Sequence, residues 1–197
     1  MKSKLILVGG GNHCNSCIDV IEQCDNFEIV GILDSNKCLG EDLLGYKIIG
    51  RDDDIHNLAQ QDYQFLVTVG QIGIHELRKN IFNKLQNANA RIATVVSPRA
   101  YVSKHANIGL GSIIMHDVLI NARVNVGMNC IINSKALIEH DTVIKSHCHI
   151  STSAVLNGQT MIGEGSFLGS NAVCIEGMVI PPKSFIKANS LFKGQQK

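Results

Sequence analysis

The chain has 197 residues, of which 45% are apolar, and this length suits one large domain or two small ones, of which we expect two. Its 18 basic and 17 acidic residues leave almost no net charge, which excludes a phosphate-neutralising surface for nucleic acid. Its seven scattered cysteines do not indicate a disulfide framework, and the apolar run at the start is too short for a signal sequence or membrane span. We therefore expect a cytoplasmic protein with reduced thiols.

The first elements predict a strand, a glycine turn, a helix and a second strand. Residues 4–8 form an apolar run that leads into the sequence GGGNHCNS, and residues 16–24 have helical spacing. Residues 27–33 form the second apolar strand, and Asp34 follows it. Asp34 lies 25 residues after Gly9, about where a Rossmann-type unit places the acid that contacts a ribose.

Three further elements complete a small α/β domain. Residues 63–69 predict a strand, residues 72–86 a helix and residues 91–96 a fourth strand, which the Ser97–Pro98 pair ends. We therefore assign residues 1–97 to a Rossmann-like domain. Its ligand should lie at the carboxyl ends of the strands, near the glycine turn and Asp34.

The glycine turn does not match a dinucleotide fingerprint, because Asn15 stands where a further glycine is needed. This makes hydride transfer unexpected. The backbone N–H groups of Gly9, Gly10 and Gly11, together with the side chain of His13, could instead contact a phosphate or a sugar. The alternative is a plain turn with a surface histidine. Cys14 and Cys17 have zinc-like spacing, but no second pair follows, so we expect no metal.

The second half of the chain has a period of six. Every sixth residue from Val102 to Phe192 is apolar, and the residue two places before it is usually small. A period of six fits neither an α-helix nor a heptad, but it fits a β-helix in which three six-residue faces make one coil. Residues 98–197 are therefore predicted to form a parallel β-helix. We expect Gly109, Gly127, Gly163 and Gly169 to supply the permissive backbone of its turns.

The segment IEHDTVIKSHCHIS carries the candidate chemistry. In the repeat, Ile138 and Ile144 point inward, so His140 and Asp141 lie on the outside of a corner. A histidine beside a carboxylate suits general base catalysis, because the acid orients the ring and stabilises its charged form. His149 and the neighbouring His147 lack a third metal ligand at suitable spacing. No cysteine nucleophile is expected, because the repeat places its cysteines at corner or inward positions.

Four features of the sequence, in this order, resemble those of bacterial sugar acyltransferases. They are the glycine turn with His13, the strand followed by Asp34, the Ser97–Pro98 junction and the hexads that bear IEHD. This family includes the bacillosamine-pathway N-acetyltransferases and the sialic acid O-acetyltransferases. The resemblance covers essentially the whole chain and implies a left-handed β-helix, acetyl-CoA as co-substrate and a homotrimer that binds acetyl-CoA between neighbouring β-helices.

The resemblance also implies roles for single residues. His140 would be the general base with Asp141 as its partner, where the family more often has glutamate. Asn133 would act with His13 near the acceptor amine, and Asp34 would lie near the uridine end of the nucleotide. The remaining positions would line the acetyl-CoA site: His149, Gly158, Ser170 and Ala188, the last standing where glycine is usual. The loop departs from the common G-x-x-G-H-G pattern, because Asn12 and Cys14 flank His13.

The sequence thus predicts an acetyl-CoA-dependent N-acetyltransferase that acts on a nucleotide-linked amino-deoxy sugar in surface glycan synthesis. Two alternatives stay open. The first is O-acetylation of sialic acid or a related sugar, and the second is a catalytically silent scaffold that binds a nucleotide sugar.

Overall fold

A computed structural model describes residues 2–73 and 76–194 of the chain. These residues divide into two compact units: residues 2–70 with 76–94, and residues 71–73 with 95–194. In the part of the chain so described, we find no helix with the length and apolar character needed to cross a bilayer.

The first unit is an α/β domain around a six-stranded sheet with the order β3-β4-β2-β1-β5-β6. Its strands are parallel except for the β3–β4 hairpin. The strands are β1 (Ser3–Val8), β2 (Phe27–Leu33), β3 (Asp42–Leu43), β4 (Tyr46–Gly50), β5 (Gln64–Val67) and β6 (Arg91–Ile92). The helices are α1 (Asn12–Glu22), α2 (Ile55–Leu58), which follows a 3-10 turn at Asp52–Asp54, and α3 (Glu76–Asn87).

Burial explains why β1 is the centre of this sheet. Its residues Leu5, Ile6, Leu7 and Val8 are all fully buried, as expected for a parallel strand that is covered on both faces. Helix α3 packs against β5 and β6, and α1 packs against β2. Apolar side chains from β1, β2, α2, β5, α3 and β6 form a core cluster of this unit.

Three predicted elements in this half of the chain have boundaries that differ most from the structure. Helix α1 begins at Asn12 rather than at residue 16, because Gly11 already has the extended backbone of an N-cap. Helix α3 begins at Glu76; Ile72 and Gly73 precede it, and residues 74 and 75 lie outside the described residues. The predicted strand over residues 91–96 is two strands, since Val95 pairs with Ile113 of the second unit.

The second unit is a left-handed parallel β-helix with three faces. The first face contains β7 (Val95–Val96), β10 (Ile113–Ile114), β13 (Ile131–Ile132), β16 (His149–Ile150), β19 (Phe167–Leu168) and β22 (Phe185–Ile186). The second face contains β8 (Tyr101–Val102), β11 (Leu119–Ile120), β14 (Leu137–Ile138), β17 (Val155–Leu156), β20 (Val173–Cys174) and β23 (Leu191–Phe192). The third face contains β9 (Asn107–Ile108), β12 (Asn125–Val126), β15 (Val143–Ile144), β18 (Met161–Ile162) and β21 (Val179–Ile180).

The predicted period of six is confirmed by the core of this unit. Each strand pairs with the strand eighteen residues away, as Ile114 does with Ile132. The inner residues from Ile114 to Ile180 are at most 1% exposed, and those nearer the two ends are partly buried. Each buried aliphatic side chain contributes about 1.5–3 kcal/mol, so the stacked inner residues hold the coils together.

The predicted role of the glycines at the corners is wrong. Gly109 and Gly163 do not have positive φ angles; instead, a Cβ on Gly163 would lie 2.3 Å from the backbone nitrogen of Pro182 on the next coil. These glycines are needed because the chain passes close to its neighbour. The left-handed backbone occurs two residues later, at every sixth residue from Gly111 to Asn189. Most of these residues are not glycine, and Asp141 is one of them.

Candidate functional site

His140 lies on the corner that follows the second face, between β14 and β15. Its side chain is 48% exposed, and its Nδ1 atom lies 3.0 Å from Oδ2 of Asp141. A carboxylate can only accept a hydrogen bond, so Nδ1 of His140 carries the proton. The lone pair of the neutral ring therefore lies on Nε2. Among the described residues, Nε2 has no hydrogen-bond partner. The ring is therefore held at one nitrogen and available as a base at the other.

Gly158 lies under the imidazole, on the same corner of the next coil. A Cβ at this position would be 2.7 Å from Cε1 and 2.9 Å from Nε2 of His140. Real carbon atoms do not approach so closely, so a side chain at residue 158 and the present position of the ring exclude each other. Gly158 thus leaves the space that the imidazole occupies.

Asp141 has a second partner that the sequence analysis missed. Nε of Arg123 lies 2.8 Å from Oδ1 of Asp141, with the Arg123 side chain 80% exposed and the Asp141 side chain 33% exposed. An ion pair so exposed contributes at most about 1 kcal/mol to stability, but it restricts the rotation of the carboxylate that holds His140. Arg123 precedes Asp141 by one coil, so the eighteen-residue repeat alone could have predicted that these two residues are neighbours.

A hydrogen-bond network joins the buried His149 to the half-buried Asn133. His149 is 6% exposed, and its Nδ1 donates to the backbone carbonyl of Gln71. Its Nε2 can then accept from Nδ2 of Asn133, 3.3 Å away, while Oδ1 of Asn133 accepts from the N–H of Ser134. The side chain of Gln71 donates to the carbonyl of His147. The network holds residue 71 on the first face, a contact that no periodicity in the sequence indicates.

Ser170 and Ala188 share the corner that precedes the second face, one coil apart, and both are exposed. The Ser170 hydroxyl lies 3.1 Å from the hydroxyl of Ser151, and its carbonyl accepts from the N–H of Asn189. The second face therefore has Ser170 and Ala188 along one edge and His140 and Gly158 along the other. The acetyl-CoA contacts of His149, Gly158, Ser170 and Ala188 remain a prediction.

In the first unit, the glycine turn meets the acid after the second strand. Gly9 has a φ angle of +108° and packs on Val69, where a Cβ would lie 2.4 Å from a methyl carbon. The N–H of Gly10 donates to Oδ2 of Asp34 at 2.6 Å, and the N–H of Asn36 donates to Oδ1 of Asp34. Asp34 therefore fixes the turn, while its remaining lone pairs can still accept from a ligand.

The turn leads directly into α1, which places His13 in the first turn of that helix. Gly11 supplies no side-chain cap to the helix, and its first turn contains no acidic residue. The positive end of the helix dipole therefore lies at the turn, as an anion site requires. A Cβ on Gly70 would lie 3.2 Å from Cβ of His13, so this loop borders the histidine. The joint action of His13 and Asn133 remains a prediction.

The buried thiols of Cys14, Cys148 and Cys174 are poor nucleophiles. Burial raises the pKa of the Cys14 thiol to about 11, and burial also raises the pKa of Cys174. The pKa of Cys148 is raised by the neighbouring thiol of Cys130 and by burial. In residues 2–73 and 76–194, no three histidine, cysteine or acidic side chains lie close enough together to hold a metal ion.

Comparison with known proteins identifies relatives of both units. Residues 4–85 match the family of the PglD N-terminal domain. PerB from Caulobacter crescentus, solved with CoA and GDP-perosamine, is 27% identical with a TM-score of 0.88, over 95% of this chain and 87% of that one. The acetyltransferase domain of PglB from Neisseria gonorrhoeae is 25% identical with a TM-score of 0.90, over 96% and 91% of the two chains. No curated protein sequence matches.

Proposed function

We propose that the chain is a bacterial hexapeptide-repeat sugar acyltransferase, which transfers acetyl from acetyl-CoA to the amino group of a nucleotide-linked amino-deoxy sugar. The observation that carries the proposal is the half-exposed imidazole of His140, oriented by Asp141 and open at Nε2. The structural relatives add the reaction class, since two of them are named as acetyltransferases or solved with CoA and an amino-sugar nucleotide.

The proposed reaction is a direct attack on the thioester. The amine nitrogen bonds to the acetyl carbonyl carbon, and Nε2 of His140 takes the proton that the nitrogen must lose. The carbon–sulfur bond then breaks, and the proton on His140 is available to the departing thiolate of CoA. Asp141 keeps the proton on Nδ1 throughout, which stabilises the charged ring. No covalent enzyme intermediate is needed, in keeping with the raised pKa values of the buried thiols.

We assign the nucleotide sugar to the first unit. Its diphosphate would lie at the N–H groups of Gly9, Gly10 and Gly11 and the start of α1, where the helix dipole favours negative charge. Asp34 would accept a hydrogen bond from the ribose end of the nucleotide, and His13 would face the sugar. This placement follows the general preference of parallel sheets for ligands at the carboxyl ends of their strands.

The same proposal places the reaction in the cytoplasm, in the synthesis of surface glycans, because both co-substrates are cytoplasmic metabolites.

The proposed acetyl transfer is tested by measuring the release of the CoA thiol from acetyl-CoA. We expect release with a nucleotide-linked amino-deoxy sugar and none with free sialic acid or with the matching nucleotide-linked sugar that has a hydroxyl in place of the amine. Release with sialic acid would instead assign the protein to O-acetylation, and no release with either class would favour the scaffold.

We further propose that the second face is covered by another copy of the chain in a homotrimer. The outward residues of this face are apolar on every coil: Tyr101, Leu119, Leu137, Val155, Val173 and Leu191. A continuous apolar strip of this kind is typical of a protein interface. Covering it would enclose the two edges that carry His140 and Ser170, where acetyl-CoA is proposed to bind.

Leu119→Asp should therefore dissociate the trimer, because the substitution buries a charge in the interface. Sedimentation velocity should show a trimer for the wild type and a monomer for Leu119→Asp. Met161→Asp is the matched control, since Met161 on the third face is 39% exposed and Leu119 is 38% exposed. A monomeric wild type, or dissociation by Met161→Asp alone, would reject this interface.

A further inference from the structure

We propose that the nucleotide is a guanosine diphosphate, bound through a guanine pocket on the first unit; the inference rests on the proposed use of a nucleotide sugar. A cavity of about 330 Å³ lies on this unit. Its lining includes Lys37, Leu39, Ile48, Ile49, Arg51 and Asp54. This volume is within the range of small-molecule sites.

The cavity adjoins the glycine turn to which we assigned the diphosphate. A Cβ built on Gly10 would lie 3.0 Å from Cδ of Lys37 and 3.3 Å from a methyl carbon of Ile48, and both residues line the cavity. The ammonium of Lys37 forms an ion pair with Glu41, so the methylenes of Lys37, rather than its charge, lie against the turn. A nucleotide with its phosphates at Gly10 therefore has this cavity beside them as a site for its base.

The walls of the cavity suit a flat aromatic ring. Leu39 is 77% exposed and Ile49 is 39% exposed, so two large apolar side chains face water. Ile49 is held in place, because it packs on Gly31 so closely that a Cβ there would lie 2.6 Å from it. A base that covers these side chains would remove their apolar surface from water, which is favourable.

The polar groups of the cavity distinguish guanine from uracil and thymine. Asp54 accepts the backbone N–H of Arg51 through Oδ2 at 2.8 Å, which fixes the carboxylate and leaves Oδ1 and the second lone pair of Oδ2 for a ligand. Guanine has the donors N1–H and N2–H₂ side by side, so one carboxylate can accept both. Uracil and thymine have one N–H between two carbonyl oxygens, which a carboxylate repels. The guanidinium of Arg51 adds a donor of the kind that pairs with O6 and N7 of guanine.

Titration of the full-length protein with GDP, UDP and dTDP tests this inference by calorimetry. We expect GDP to bind at least about tenfold more tightly than UDP or dTDP, since one bidentate pair discriminates between bases by roughly that factor or more. Asp54→Asn should remove most of this preference. It keeps an oxygen that can accept the N–H of Arg51, so its thermal unfolding should match that of the wild type. Asp53→Asn is the control, because Asp53 is exposed and paired with Lys84 outside the cavity.

Equal or tighter binding of UDP or dTDP would overturn the inference, as would a preference for GDP that survives Asp54→Asn, or no binding of any of the three. These outcomes are separate from the fate of the proposed function. Acetyl transfer to a UDP-linked amino sugar without GDP binding would keep the transferase and reject the guanine pocket. Tight GDP binding without transfer to any amino sugar would keep the pocket and reject the transferase.

Discussion

Replacing His140 with alanine should lower kcat for acetyl transfer by about two to four orders of magnitude, the usual contribution of a general base. The fold should survive, because the side chain is half exposed and its only hydrogen bond among the described residues is to Asp141. Thiol release at saturating concentrations of both substrates measures kcat, and the thermal unfolding midpoint reports the fold.

His105→Ala is the matched control for this experiment. His105 lies on the same edge of the second face as His140, is exposed, and contributes its backbone carbonyl to the coil through the N–H of Arg123. Its side chain has no part in the proposed reaction, so kcat should not change. An unchanged kcat in His140→Ala would show that the proton leaves by another route.

Gly158→Ala should lower kcat by about a hundredfold, the cost of displacing a catalytic group by roughly 1 Å. The new methyl group would occupy space 2.7 Å from Cε1 of His140, so the imidazole has to move away from its position over Gly158. The backbone at residue 158 has an ordinary φ angle and tolerates alanine. Gln159→Ala, at the next exposed position, is the control and should leave kcat unchanged.

A double variant separates the two possible roles of Gly158. If the methyl group acts only by displacing the imidazole, His140→Ala combined with Gly158→Ala should be no slower than His140→Ala alone. If Gly158 instead borders acetyl-CoA, as the family resemblance implies, the double variant should also have a higher KM for acetyl-CoA. A raised KM with unchanged kcat in Gly158→Ala alone would contradict the displacement.

The β-helix could be predicted from the sequence because its packing repeats at a fixed number of residues. An inner residue such as Ile132 contacts the residues eighteen places before and after it, so one apolar period specifies the whole core. The exposure of His140 followed from its place next to the inner Ile138. The pairing of Arg123 with Asp141, eighteen residues apart, follows from the same repeat and could have been predicted from the sequence.

Other parts of the site could not be predicted, because their contacts do not repeat. Gln71 and His149 are far apart in the sequence, and no repeat relates them, so their hydrogen bond is seen only in the folded chain. The short hairpin of β3 and β4 has no clear alternation, yet it places Ile49 and Arg51 at the cavity of the first unit. The close approach at Gly163 depends on the backbone path of the neighbouring coil, which side-chain type does not reveal.

The pairing of every strand with the one eighteen residues away also limits how such a chain can change its length. Removal of one complete coil would leave each remaining face and corner in line with its neighbours. Removal of a single hexad would shift all later residues by one face, so that the residues on the corner of His140 would no longer lie above and below it. Insertions and deletions in this half of the molecule are therefore tolerated only as whole coils of eighteen residues, because the three-sided stack fixes that length.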